Sequence, residues 1–301
     1  MDDLTWFEGL EVRTVEVGGH TLAYRAVGEG PPILFVHGWP LWSATYRASA
    51  RQLQDRYRCL LPDLPGAGRS PAMSRPRELF RAGTDLMAGF LDALGIQRVG
   101  LVGQDSGAAI ARLVAARDPS RVGAIVMANT ELTHFVPPAV RLMKRLVALP
   151  GSTTVMRGLL HLRPFVRSSY GFRGCFLDLT KLDGEFDRAF IAPLRRDPGP
   201  ALDVLRHSDV VGVGDLLEVA HPRLTMPVHC VWGAQDPYFP VSRLRAMLAE
   251  ETPDWPEPVV IDDARLLVHE EHAGRFVEVC RDAFDASLSV AAASGPRRAQ
   301  A

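Results

Sequence analysis

Two glycines, Gly103 and Gly107, bracket the tripeptide Gln104-Asp105-Ser106. Before them, Val99 to Val102 is a continuous apolar run of strand length; after them, Ala108 to Ala116 reads as helix. A strand that turns into a helix within so few residues needs glycine wherever two backbones approach closely. The frame Gly-x-nucleophile-x-Gly at such a turn lifts its central residue above the end of a parallel sheet. The central residue here is Asp105, and Ser106 stands one place too late for the role.

The chain on either side has the rhythm that this frame requires. Val12 to Val17 and Thr21 to Ala26 alternate apolar and polar residues around Gly18-Gly19, the pattern of a β-hairpin. Ile33 to Val36 is apolar throughout and suits a strand buried on both faces. Helix over Ser43 to Asp55, strand over Cys59 to Leu61, and an amphipathic helix over Arg81 to Leu94 closed by Gly95 follow in turn. The elbow and a strand over Ala124 to Met127 come next. This alternation predicts a mostly parallel twisted sheet flanked by helices. After Asn129 no buried strand is evident until Val228 to Trp232, followed by Val259 to Ile261 and a last helix from about Glu270 to Ala286. Residues 1–133 and 218–288 are therefore expected to form the core, 134–217 an inserted helical cap, and 289–301 a disordered tail.

With 301 residues, 47% of them hydrophobic, the chain is long enough for one large core with an insertion. Its 34 basic and 35 acidic residues nearly cancel, and no dense basic run argues for nucleic acid or a membrane surface. Cys59, Cys175, Cys230 and Cys280 form no paired spacing and read as buried hydrophobes in a reducing compartment. Residues 1–10 lack the pattern of a leader, and no apolar run approaches the ~20 residues of a membrane span. The expectation is a cytoplasmic monomer or homodimer acting on a small molecule. No Gly-x-Gly-x-x-Gly follows the first strands and no His/Cys set clusters, so neither cofactor nor metal is expected.

His37-Gly38-Trp39-Pro40 follows the first fully apolar strand, well upstream of the elbow. In the family that this string and the elbow resemble, this loop lies beside the nucleophile, here Asp105. The backbone N–H groups of Trp39 and Ser106 then point at one spot, an oxyanion or leaving-group site at the start of the elbow helix. These residues, the segment Asp63-Leu64-Pro65-Gly66-Ala67-Gly68-Arg69-Ser70 and the Asp105 elbow resemble the epoxide hydrolases and haloalkane dehalogenases, the aspartate-nucleophile branch of the α/β-hydrolases. The resemblance runs from about residue 12 to residue 288 and is weakest in the cap.

The resemblance implies an α/β-hydrolase fold and attack of the Asp105 carboxylate on an sp³ carbon, leaving an ester that water then cleaves. It implies that Asp236, in Val231-Trp232-Gly233-Ala234-Gln235-Asp236-Pro237, is the acid that orients a histidine, with Glu131 as the alternative acid. The histidine itself departs from the pattern. Aligning Glu270-Glu271 places Leu266 where the family has it, and His269 is the nearest substitute.

Leaving-group residues are mixed. Ser106 replaces the tryptophan that many dehalogenases carry after the nucleophile, and the cap offers Tyr170 where epoxide hydrolases use two cap tyrosines. No arginine directly follows Asp105 to bind a carboxylate substrate. His37, Tyr170, Phe172, Tyr238 and Leu266 are expected to line the substrate pocket; of Phe165, Phe176, Phe186 and Phe190, some are expected to join them and the others to pack the cap core. The expected function is hydrolysis of a small-to-medium apolar electrophile. The alternative is a non-hydrolytic protein of the same fold that binds a small ligand, because of Leu266.

Overall fold

The structure is a computed structural model that describes residues 1–73 and 78–288. The tail expected at 289–301 lies outside the described residues. Eight strands form one sheet in the order β1-β2-β4-β3-β5-β6-β7-β8, where β1 is Arg13–Val17, β2 His20–Val27, β3 Pro32–Val36, β4 Arg58–Pro62, β5 Val99–Gln104, β6 Val122–Ala128, β7 Val228–Gly233 and β8 Val259–Ile261. β1 and β2 form the expected hairpin, and β2 also runs antiparallel to β4. All the other pairings are parallel.

Period-two alternation explains why the central strands are apolar at every position. In β3, Leu34 and Val36 enter one apolar cluster while Ile33 and Phe35 enter the other. In β6, Ile125 and Met127 face the first cluster and Ala124, Val126 and Ala128 the second. Helices α1 (Asp3–Glu8), α2 (Arg47–Leu53), α3 (Leu79–Ala93) and α4 (Ser106–Arg117) follow in chain order. α3 and α4 pack together on the first face. The last helix, Ala273–Leu288, packs on α2 and on β5 to β7 over the second. The mixed, acidic start of the chain gives no periodicity that predicts α1. Asp2 caps that helix, its side chain accepting from the Thr5 amide at 2.8 Å.

Between β6 and β7 come α5 (Pro138–Val147), α6 (Ser152–Leu160), α7 (Arg163–Val166), α8 (Ala192–Arg196), α9 (Gly199–His207) and α10 (Val213–Ala220). The first five contain no strand among them, in keeping with the sequence, and α10 packs back on α4. Four phenylalanines anchor this segment. Phe172, Phe176, Phe186 and Phe190 pack against one another, with edge-on geometry at 4.8 Å between Phe176 and Phe186. After β7 come α11 (Val241–Glu251), α12 (Val268–Glu271) and α13, the Ala273–Leu288 helix. No described helix is long and apolar enough to cross a membrane.

Candidate active site

The elbow forms as its glycines require. A Cβ on Gly107 would lie 2.0 Å from the Val36 carbonyl oxygen at the end of β3, so only glycine lets α4 start there. Asp105 sits at φ 49°, ψ −139°, a conformation that L-residues seldom adopt and that stores strain at this point. The turn is held from three sides. The Asp105 amide donates to the Asn129 carbonyl at 3.0 Å. The Thr130 hydroxyl donates to the Asp105 carbonyl at 2.8 Å. The Ala108 amide closes the first turn onto Asp105 at 2.9 Å.

The side chain is held as firmly. Its Oδ2 accepts from the Trp39 backbone N–H at 3.1 Å and from the Ser106 hydroxyl at 3.3 Å, and the Ser106 amide is a second backbone donor to the carboxylate. The amides read from sequence as a leaving-group site therefore converge on the carboxylate itself. Donors placed this way stabilise negative charge on the carboxylate. Oδ1 is the less engaged oxygen. Burial pushes the Asp105 carboxyl above its ordinary range, and these donors oppose the rise. Gly38 faces the same group: a Cβ there would meet Asp105 Oδ2 at 2.8 Å. Ser106 has no imidazole partner; its hydroxyl accepts from the Trp39 amide at 3.0 Å and donates to Asp105.

A cavity of about 500 Å³ opens in front of Asp105. Its walls are mostly apolar, with Phe165, Phe172, Leu205, Val213 and Leu266 among them. The polar residues that line it include Asp105, Ser106, Glu131, Tyr170 and Tyr238, and no histidine among the described residues does. Tyr170, Phe172, Tyr238 and Leu266 line it. Phe176, Phe186 and Phe190 do not: they are buried in the aromatic stack behind the wall.

Two expectations are corrected. His37 does not line this cavity. Its Nδ1 donates to the Gly38 carbonyl at 3.1 Å and its Nε2 accepts from the Leu64 amide at 2.9 Å, so the ring is neutral and ties two loops together. It borders a smaller chamber of about 100 Å³ that shares Trp39 and Ser106 with the main one. His269 is not brought to the cavity either. α12 begins at Val268, and this phase turns His269 inward, between Tyr46 and Phe276. Its Nε2 lies 2.7 Å from the Thr45 hydroxyl, its Nδ1 has no partner, and burial lowers its pKa to about 3.

Asp236 is buried at the end of β7, where its Oδ1 accepts from the Tyr238 amide and its Oδ2 from Asn129 Nδ2, each at 2.7 Å. Burial raises its carboxyl to about 7. Glu131 is 5% exposed and edges the cavity. Its carboxyl is raised by burial and further by Asp105 facing it.

Four residues outside the set expected from sequence support the site. Asn129 also bridges to β7, its Oδ1 accepting from the Gly233 amide at 2.9 Å. Arg112, fully buried on α4, donates to the Thr130 hydroxyl at 3.1 Å and to the Glu131 carbonyl at 2.6 Å. His221 receives Arg112 Nη1 at 3.2 Å and gives its other ring N–H to Glu251 at 3.0 Å. The signal for Asn129 and Thr130 is a polar Asn-Thr-Glu run directly after an apolar strand. Arg112 and His221 lie 109 positions apart and carry none. Among the described residues no group of three or more His, Cys, Asp or Glu side chains is arranged to hold a metal ion.

Comparison with known proteins agrees with this architecture. A family model described as the alpha/beta hydrolase fold matches residues 31–154. "Haloalkane dehalogenase 2" of Mycobacterium tuberculosis is 36% identical over 143 residues, 48% of this chain and 49% of that protein. "Cis-3-alkyl-4-alkyloxetan-2-one decarboxylase" of Shewanella oneidensis is 35% identical over 120 residues, 39% of this chain and 38% of that one. The chain thus spans about half or less of the length of these curated relatives. A solved haloalkane dehalogenase from Bradyrhizobium elkani superposes over 93% of this chain and 99% of its own, with a TM-score of 0.75 at 23% identity, a likeness of fold.

Proposed function

We propose that this chain, which has the α/β-hydrolase fold, opens an apolar, strained electrophile such as an epoxide by attack of the Asp105 carboxylate on carbon. The observation that carries the reading is the Asp105 side chain, with Oδ2 taken up by the Trp39 amide and Oδ1 less engaged at the floor of an apolar cavity. One oxygen is fixed where an oxyanion forms and the other is free to bond. The helices of residues 134–217 act as the cap that walls the site.

A leaving oxygen suits the cavity better than a halide. The Trp39 indole N–H, a natural halide donor, is committed to the Ala201 carbonyl at 2.7 Å. Tyr170 and Tyr238 both reach the cavity, one from the cap segment and one from the loop after β7. Burial pushes the Tyr238 phenol up, so it donates a hydrogen bond to a developing alkoxide while keeping its proton. The apolar walls select alkyl or aryl substituents over charged ones.

The test is a panel of 1,2-epoxyalkanes and 1-bromoalkanes with product and intact mass followed together. Diol formation by the wild type and its loss in Asp105→Asn is the expected result. Turnover that survives Asp105→Asn rules the reading out.

The lack of a histidine in the cavity favours a second reading. Decarboxylation of an alkyl-substituted oxetan-2-one, the activity in the name of the Shewanella relative, yields an alkene and CO2 and consumes no water. An alkene product with no diol across the panel, when a cis-disubstituted oxetan-2-one is added, selects it.

A further inference from the structure

Ester cleavage by water needs a group that takes a proton, and among the described residues no imidazole lines the cavity, while one buried carboxyl besides Asp105 does. Glu131 follows β6, the strand beside the elbow strand, and Thr130 ties the two sites together. Its hydroxyl oxygen lies 2.8 Å from the Asp105 carbonyl, 3.0 Å from Glu131 Oε2 and 3.1 Å from Arg112 Nη2. That hydroxyl is the donor both to the Asp105 carbonyl and to Glu131 Oε2. It has one proton, so whenever that proton lies on the Asp105 carbonyl, Glu131 Oε2 lacks this donor. Arg112 holds the backbone of this corner through the Glu131 carbonyl at 2.6 Å.

Resting on the Asp105 reading above, we propose that Glu131 is the acid and base of the reaction, protonated at rest, donating to the leaving oxygen and then accepting from water. Two carboxyls in one desolvated space resist carrying two negative charges, so they share one. Asp105 carries the charge, because the Trp39 and Ser106 amides stabilise it, and Glu131 holds the proton.

The proton count closes over one cycle. Asp105 Oδ1 forms a bond to the ring carbon as the carbon–oxygen bond of the epoxide breaks, and the Glu131 proton passes to the departing oxygen. Asp105 is now a neutral ester and Glu131 the only carboxylate of the pair. Burial is the larger cause of the raised Glu131 carboxyl and stays; removing the Asp105 charge removes the second cause, so Glu131 holds its charge more readily at the step that needs a base. Glu131 takes a proton from water, the hydroxide adds to the ester carbonyl, and the Trp39 and Ser106 amides hold the oxyanion. On collapse the carbon–oxygen bond to the ester oxygen breaks and that oxygen takes the hydroxyl proton of the tetrahedral centre, so the diol leaves with Asp105 ionised and Glu131 still protonated.

The experiment compares wild type and Glu131→Gln with a 1-bromoalkane, whose leaving group needs no proton, and with a 1,2-epoxyalkane. Glutamine keeps the size of the side chain and the melting temperature checks its fold. The expected result is stoichiometric alkylation of Asp105 by the bromoalkane in Glu131→Gln, seen by intact mass and peptide mapping, with release slowed by about 10²-fold or more relative to wild type. The epoxide should be slowed in both halves.

Release by Glu131→Gln at the wild-type rate overturns the assignment while leaving Asp105 in place. So does an adduct that wild type itself fails to release. Absence of both adduct and product in wild type removes the Asp105 reading, and this one with it. If Glu131→Gln does not fold, Glu131→Asp, which keeps the acid but withdraws it, is expected to show the same trapped adduct. Unchanged release in that variant overturns the assignment.

Discussion

Asn129 Nδ2 donates to Asp236 Oδ2 at 2.7 Å, so the carboxylate after β7 is satisfied by an amide where the family resemblance places an imidazole. With the Tyr238 amide on its other oxygen, Asp236 fixes the β7 loop without orienting any base. Leu266, in the loop after β8, lines the cavity at the position the resemblance gives to histidine. Leu266→His supplies an imidazole on that wall. In the Glu131→Gln background it is expected to restore release of the alkylated Asp105 by at least ~10-fold, through general-base catalysis. Single-turnover mass measurements check this, and no gain in the double variant would mean that position 266 does not reach the ester.

Asp105→Asn should gain stability as it loses activity. Folding raises the Asp105 pKa from 3.8 to about 6, so the charged form is disfavoured in the native state. For a raised carboxyl the native state binds the proton more readily than the unfolded chain. The penalty is absent below pH 3.8, grows as pH rises from there, and is complete above about pH 6. The amide has no charge to desolvate. The asparagine variant is therefore expected to have a higher melting temperature at pH 8, by an amount corresponding to ~1–3 kcal/mol. That gap should narrow as the buffer is acidified toward the unfolded carboxyl's own range. Thermal melts of both proteins across these conditions provide the check, and a gap that widened on acidification would contradict it.

The leaving group distinguishes two side chains. Tyr238→Phe removes a phenol that faces the cavity and should slow epoxide opening by about 10–10²-fold, while bromoalkane alkylation of Asp105 changes less. Trp39→Phe removes an indole N–H that already serves the Ala201 carbonyl, so it should cost stability and leave the relative rates of the two substrates alone. A halide-selective loss in Trp39→Phe would show that the indole turns toward the leaving group during the reaction.

What is legible in the sequence is local. The hairpin, the apolar strands and the elbow depend on residues within a few positions of one another, and two glycines whose Cβ atoms would strike the neighbouring backbone mark the turn. Helix phase is the first thing lost. His269 is the histidine nearest to the expected place in the chain, yet the start of α12 at Val268 turns it toward Thr45, and a shift of one residue in that start would aim it elsewhere. Long-range polar contacts are the second. The corner formed by Arg112, Thr130, Glu131 and His221 joins α4, the end of β6 and the turn after α10, and no spacing rule links such positions. His37 escapes a sequence reading for a related reason: it lies beside the elbow loop, but hydrogen bonds at both ring nitrogens turn it into a strut.

His269 then makes a prediction about acid rather than about chemistry. The ring is 1% exposed, unpartnered at Nδ1, and its pKa falls from 6.5 to about 3 on burial. The unfolded chain binds this proton below pH 6.5 and the native state does not until about pH 3, so native stability drops as pH falls through that window. The full effect has an upper bound of about 4–5 kcal/mol, taking about 1.36 kcal/mol for each pH unit of the window. His269→Leu replaces the ring with an apolar group and removes the titration. The fall of its stability with acid should be shallower than that of wild type in urea melts from neutral to mildly acidic pH, and adduct formation and release should keep their wild-type ratio. Loss of release in a well-folded His269→Leu would instead return this histidine to the reaction.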